Sequence, residues 1–258
     1  VAITMVTAAG LALFLGLQAP GVWRKLLGLV NAGLMIHVVM LTFSRGGMMA
    51  LIICGAVSFL LIPKKPIHYA IFLTGILIAF RLAGPQVVER FSTVFAEEGA
   101  RDWSAQSRLD MWKDCVDIMA RNPLVGLGPH HFPSVAPQYG WSAGKEAHTL
   151  WLQIGAELGI PGLTFLVAFY VLCLIKLWPF LFRKKGEIDP WYQDTARMVT
   201  ASIVAFAVSA QFVSLVGLEI PYYVILLGAG ALKLQSIGTM PSPATSAGPP
   251  RLPGFIYQ

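Results

Sequence analysis

The chain has 258 residues, of which 56% are hydrophobic and only 12% charged, with a mean hydropathy of +0.66. Soluble domains carry about 25% charged residues, so a soluble globular fold is excluded and the class is an all-α polytopic membrane protein. The net charge of +6 is not a nucleic-acid signal, because Lys and Arg fall in short clusters between apolar runs, the pattern that sets membrane topology.

The first residue, Val1, already lies in an apolar run, with no charged n-region and no small-residue cleavage site. The reading is a chain without a signal peptide, truncated at its N-terminus, with further helices upstream. Seven apolar segments follow, at about 1–18, 27–43, 47–63, 67–83, 159–182, 198–217 and 221–235. Each is near the roughly 17–25 residues that cross a bilayer. If all seven span, Arg24-Lys25, Lys64-Lys65 and Arg183-Lys184-Lys185 share one side, which the positive-inside rule makes cytoplasmic. The other side receives Ser44-Arg45-Gly46-Gly47, the loop 84–158 and the turn Leu218-Glu219-Ile220. Acidic residues outnumber basic ones in that loop, as suits an external location. The expected division is spans over 1–83, an external loop over 84–158, spans over 159–235 and a disordered cytoplasmic tail over 236–258, rich in Pro, Ser and Gly.

A loop this long is functional or disordered, and Trp103, Trp112, Phe132, Tyr139, Trp141 and Trp151 argue against disorder. "SRLDMWKDCVDIMARNP" predicts a helix from Ser107, with Ser107 and Asp110 in capping-box positions. Leu109, Trp112, Val116 and Met119 form its apolar stripe. Asp110, Asp114 and Asp117 share the opposite, solvated face, and Asn122-Pro123 ends the helix.

Four ionisable residues matter most. Arg45 stands outside the positive-inside pattern, before two glycines that let a ligand approach the backbone. It is either an anion site, since guanidinium grips phosphate in bidentate fashion, or an interfacial arginine snorkelling to head groups. Arg108 would open the loop helix, against the macrodipole. It reads either as half of an anion site at free N–H groups or as an exposed surface arginine. His148 is expected in the first turn of a helix running to about Leu158 and stopped by Gly159-Ile160-Pro161. A helix N-terminus favours neutral imidazole, the form a general base needs. The alternative is a histidine bonded to a nearby carbonyl. Glu157 lies nine residues on, about 180° around a helix, so it reads as a structural or gating carboxylate. His37 reads as a bonded core histidine in mid-span. Cys54, Cys115 and Cys173 form no CxxC pair, and their odd count argues against a disulfide framework or zinc site. A carboxylate metal–diphosphate site has no DxD pair to support it.

Three blocks carry a resemblance: "LTFSRGGMMAL" at 41–51, "SRLDMWKDCVDIMARNPLVGLGPHHF" at 107–132 and "HTLWLQIGAELGIPG" at 148–162. Around one external loop, in this order, they resemble the bacterial O-antigen ligase / O-antigen polymerase superfamily. The last block fits its pattern of His, a small polar residue (here Thr149), nine residues, then Gly-x-x-Gly (Gly159 and Gly162). The resemblance implies a metal-independent, inverting glycosyltransferase with a GT-C-like helical bundle and no cofactor. It implies a donor glycan on undecaprenyl pyrophosphate, used at the periplasmic face of the inner membrane. The acceptor would be a lipid A-core sugar, a polysaccharide or a protein, with membrane lipid as a partner and no nucleic acid. Carried over, Arg45 and Arg108 would bind the pyrophosphate and His148 would activate the acceptor hydroxyl. Ser44, Glu157, Gly159 and Gly162 would support them. The rivals are a polymerase, a protein O-oligosaccharyltransferase and, outside enzymes, a polysaccharide or lipid transporter. Polar groups gathered on one face beside a large loop favour the enzyme, since a transporter would place them within broken spans.

Overall fold

The computed structural model describes residues 1–62, 66–82, 103–183, 187–215 and 217–238. Among these the chain is all-helical. The long helices are α1 (Ala2–Gln18), α2 (Val22–Leu41), α3 (Arg45–Leu61), α4 (Pro66–Leu82), α5 (Trp103–Arg121), α6 (Leu150–Leu181), α7 (Pro190–Ser209) and α8 (Ile220–Gly238). Between α5 and α6 lie a single α-turn, Phe132–Val135, and a 3₁₀ turn, Ala136–Tyr139. The tail predicted from residue 236 begins inside α8, which runs to Gly238; the rest of it and loop residues 84–102 lie outside the described residues.

The helix α7 is the hub. Helices α1, α3, α6 and α8 all pack on it, and Ala196, Val199, Ala201, Ile203, Ala205 and Phe206 are almost fully buried there. Lipid tails are as apolar as these side chains, so helices in a membrane associate by close packing, which small residues permit. A Cβ on Gly10 of α1 would stand 2.8 Å from Ser202 Oγ of α7, and one on Gly28 of α2 would fall on the Gly16 backbone of α1. A Cβ on Gly228 of α8 would come 3.1 Å from Val199. The outward faces remain apolar, as at Leu27 and Leu34 of α2 and Phe165 and Trp178 of α6.

The helices α2, α6 and α8 are long and apolar enough to cross a membrane, and α1 and α3 are shorter apolar helices of 17 residues. The sixth expected segment shifts most. Instead of 198–217, the helix α7 runs over Pro190–Ser209. Its start is chemical: the Asp189 carboxylate accepts from Trp191 N at 2.8 Å and Pro190 takes the first helical position, both standard N-terminal devices. Asp194 and Arg197 pair at 3.1 Å inside α7, and Arg197 Nε donates to Leu181 O, at the end of α6. His37 is a second correction: it lies on the exposed side of α2, not in the core.

The fifth expected segment continues from a shorter helix. In α6 the chain breaks at Gly159 (φ 70°, ψ −172°), a conformation open only to glycine. The first half, Leu150 to Leu158, is thus a separate short helix, and the span begins at Ile160. Gly159 is therefore not in the left-handed α conformation of a standard C-cap. The orphan carbonyls are met by another segment: Leu127 N donates to Ala156 O at 3.0 Å and Gly128 N to Glu157 O at 2.8 Å. Ile160 N returns a bond to Pro123 O at 2.8 Å.

Candidate active site

The residues flanking His148 are all held. Trp112 Nε1 donates to Ala147 O at 3.1 Å, and Ala147 N donates to Gln153 Oε1 at 3.2 Å. Thr149 N donates to Ser214 Oγ at 3.1 Å, and Leu150 N to Ala210 O at 2.8 Å. Between these four bonds His148 adopts φ 54°. A non-glycine residue at positive φ costs on the order of 1–3 kcal/mol and persists only where its surroundings over-determine it. His148 precedes the N-cap Thr149 and so stands just before the helix, not in its first turn as expected. The strained link at His148 turns the chain into α6, which starts at Leu150.

His148 is half-buried, and its pKa lies below the usual 6.5. Burial is the main cause, followed by the positive charges of Arg108 and Lys145. The lowered value favours neutral imidazole through burial and nearby positive charge rather than through the helix terminus. Arg108 acts on His148 across forty residues of chain, so the fold brings these two predicted residues together.

Arg108 itself is not where the sequence placed it. The helix α5 starts at Trp103, so Ser107 and Arg108 are interior and Ser107 is no N-cap. Gln106 Nε2 reaches both Asp110 oxygens at 3.3 Å, and Lys113 Nζ reaches Oδ1 at 3.0 Å. Asp110 is thereby engaged along the helix and does not close a capping box. The argument that an anion joins Arg108 at free N–H groups falls with it. The apolar stripe is also corrected. The buried face of α5 is Ser107, Met111, Cys115 and Ile118. Leu109, Trp112 and Val116 instead line an open groove of about 610 Å³ with Leu152 of α6. Asp114 is not simply solvated: its Oδ2 accepts from Trp141 Nε1 at 2.7 Å.

Arg45 is the first residue of α3; its side chain lies outside the described residues. Ser44 is the N-cap, its Oγ accepting from Gly47 N at 3.2 Å. The two following glycines make room for protein, not ligand. A Cβ on Gly46 would stand 2.6 Å from Phe212 Cβ, and one on Gly47 2.9 Å from Ala2 Cβ. Phe43, just before, is another non-glycine residue at positive φ. Phe212 lies in the same segment as Ala210 and Ser214, so the turn after α7 is the common anchor of α3's start and of the His148 link.

Glu157 is 1% exposed. Its Oε2 accepts from His130 N at 3.0 Å; its Oε1 accepts from Phe132 N at 3.3 Å and Gln153 Nε2 at 3.1 Å. It faces the loop after α5. Gly159 and Gly162 shape the break: a Cβ on Gly159 would meet Pro123 O at 2.6 Å, and one on Gly162 would strike Leu158. Gly126, with φ 63°, lies directly on the Glu157 backbone. Among the described residues no group of three His, Cys, Asp or Glu can hold a metal.

A family model described as O-antigen ligase matches residues 30–167, from α2 to just past the Gly159 break. The chain belongs to the O-antigen ligase family. Membership and the apolar helices place it in a membrane, among enzymes of glycosyltransferase type. The matched segment holds Arg45, Arg108, His148, Gly159 and Gly162, whereas Ala210, Phe212 and Ser214 lie beyond it. No curated protein matches the chain. Sequence reasoning singled out none of Gln153, Phe212 or Ser214. For Gln153 a signal existed: it is four residues before Glu157, one helical turn away on the same face.

Proposed function

We propose that this family member transfers a glycan from undecaprenyl pyrophosphate to an acceptor hydroxyl, on a lipid A-core sugar or similar, at the periplasmic face of the bacterial inner membrane. The acceptor oxygen attacks the anomeric carbon opposite the leaving group. As that C–O bond forms, the bond to the phosphate oxygen breaks and its electron pair leaves with undecaprenyl pyrophosphate, inverting the configuration. The hydroxyl proton passes to His148. Arg45 and Arg108 hold the pyrophosphate and stabilise the charge it gains, the electrostatic part of the catalysis.

The observation that carries this reading is the pairing of Arg108 with a half-buried, strained His148 whose neighbours are held on both sides. A base must sit within reach of the proton it removes and be neutral when it does so. A cation nearby opposes the imidazolium in the free enzyme, and a bound pyrophosphate would offset that charge. The basic clusters on the opposite side of the spans support the periplasmic placement.

Arg108→Gln and Arg45→Gln are each expected to lower transfer by about 10²–10³-fold, the usual loss for one charge-stabilising donor. Glycan joined to acceptor per unit of inserted protein is the readout, and wild-type transfer in both variants contradicts the pyrophosphate role. Mass spectrometry of the envelope with and without the gene identifies the acceptor. Glycan on core lipid only when the gene is present is the expected result.

A further inference from the structure

We propose that Gln153 is a positioning residue for His148, anchored by Glu157; this rests on reading His148 as the base. Gln153 and Glu157 are 2% and 1% exposed, so neither meets donor or acceptor and any effect on transfer passes through a neighbour. That neighbour is Ala147, the residue before His148, whose N–H Gln153 holds. The amide of Gln153 has two distinct ends, one acceptor and one donor. Its donor end faces Glu157 Oε1 at 3.1 Å, and its acceptor end takes Ala147 N at 3.2 Å. Glu157 offers an acceptor to the Gln153 amide, so it sets which way the amide points. Glu157 is itself set by His130 N and Phe132 N. A continuous chain of hydrogen bonds thus runs from the loop after α5, through one face of α6, to the residue before His148.

The arrangement answers a definite need. His148 holds φ 54°, and relaxation of that dihedral would swing the imidazole out of its position. Trp112 fixes the carbonyl of Ala147 and Gln153 fixes its N–H. With both ends of that residue held, the rotation is blocked on the N-terminal side. Ser214 blocks it on the other through Thr149 N. Side chains of similar size lose at least one of Gln153's two contacts. Leucine leaves the Ala147 N–H unmet, and glutamate sets two carboxyl groups about 3 Å apart, a spacing at which both resist being charged.

The test uses the full chain in nanodiscs. Lipid-linked glycan and acceptor-bearing envelope are both prepared from cells deleted for the gene. Gln153→Leu and Gln153→Glu are each expected to lower kcat about 100-fold, the scale of a misplacement near 1 Å, with KM for the donor within about twofold. The exchanged pair Q153E/E157Q restores one donor facing one carboxylate at the loss of the bond from Phe132 N, and is expected to recover at least about tenfold over Gln153→Glu. A residue that only fills space gives no such recovery. Wild-type kcat in Gln153→Leu, or an exchanged pair that folds yet is no faster than Gln153→Glu, overturns the proposal. If Gln153→Leu does not fold, the comparison of the exchanged pair with Gln153→Glu decides. His148→Ala runs beside them. Activity in that variant removes the base reading itself, whereas an inactive His148→Ala with a fully active Gln153→Leu removes the positioning role alone.

Discussion

The start of α3 and the start of α6 deliver two of the predicted residues to one turn of the molecule, and they do so by different physics. At α3, Gly46 and Gly47 bring the backbone beside Arg45 against Phe212 and Ala2, with no space for a Cβ. At α6, four hydrogen bonds hold the residues around His148, three of them from side chains. Steric fit fails abruptly when an atom is added. A hydrogen-bonded frame fails by degrees, as single partners are removed. The first region is therefore expected to respond to substitution through folding, and the second through activity.

The contrast is sharpest at the glycines. Gly159→Ala meets Pro123 O and Leu124 at a backbone angle that L side chains rarely adopt. It is expected to cost on the order of 3 kcal/mol, read as a fall in thermal midpoint and loss of inserted protein. Gly46→Val is expected to cost nearly as much, because three Phe212 atoms lie within 2.7 Å of the new Cβ. A Gly46→Val protein of wild-type stability would break the steric half of the comparison. Ser214→Ala comes next. It leaves the buried Thr149 N–H without its acceptor, at about 1–3 kcal/mol, and is expected to lower transfer more than it lowers folded yield. The reverse order would make the turn after α7 purely structural.

The smallest expected effect is on pH. The folded pKa of His148 lies below its ordinary 6.5. The unfolded chain thus binds the proton first as pH falls, and stability tied to the neutral ring is present above 6.5 and lost as pH drops below it. Transfer that needs neutral imidazole has its acid limb below 6.5 for the same reason. Lys145→Gln removes one of the charges that hold the value down. Its acid limb is expected to move up toward 6.5 with the plateau rate kept, measured as transfer against pH. An acid limb that stays in place or moves down contradicts the electrostatic account.

How much of this was legible in the sequence follows from the range of each interaction. The helices of the membrane region show in composition, since an apolar run of spanning length has few other uses. The break at Gly159 shows too, through the adjacent Ile160-Pro161. Boundaries fail where polar chemistry sits inside or beside an apolar helix. The internal Asp194–Arg197 pair hides the true start of α7 from any hydropathy window, and Gln106 with Asp110 lengthens α5 past its apparent cap. Motif spacing singles out His148 and Arg108, but the contacts that hold the chain around His148 do not show in it. Thr149 meets Ser214 across 65 residues, Trp112 meets Ala147 across 35 and Gly126 meets the Glu157 backbone. None of these pairs has a local signature. Leu109, Trp112 and Val116 show a subtler limit. Helical periodicity marks them as apolar together, but it cannot say whether the stripe is covered or lines a groove.

The central claim is that His148 is the base of a glycan transfer and that its setting exists to hold it. His148→Ala in the full chain, assayed for glycan joined to acceptor beside protein level and membrane insertion, tests it most directly. The account predicts normal insertion with transfer lost. Transfer at the wild-type rate in that variant would contradict it.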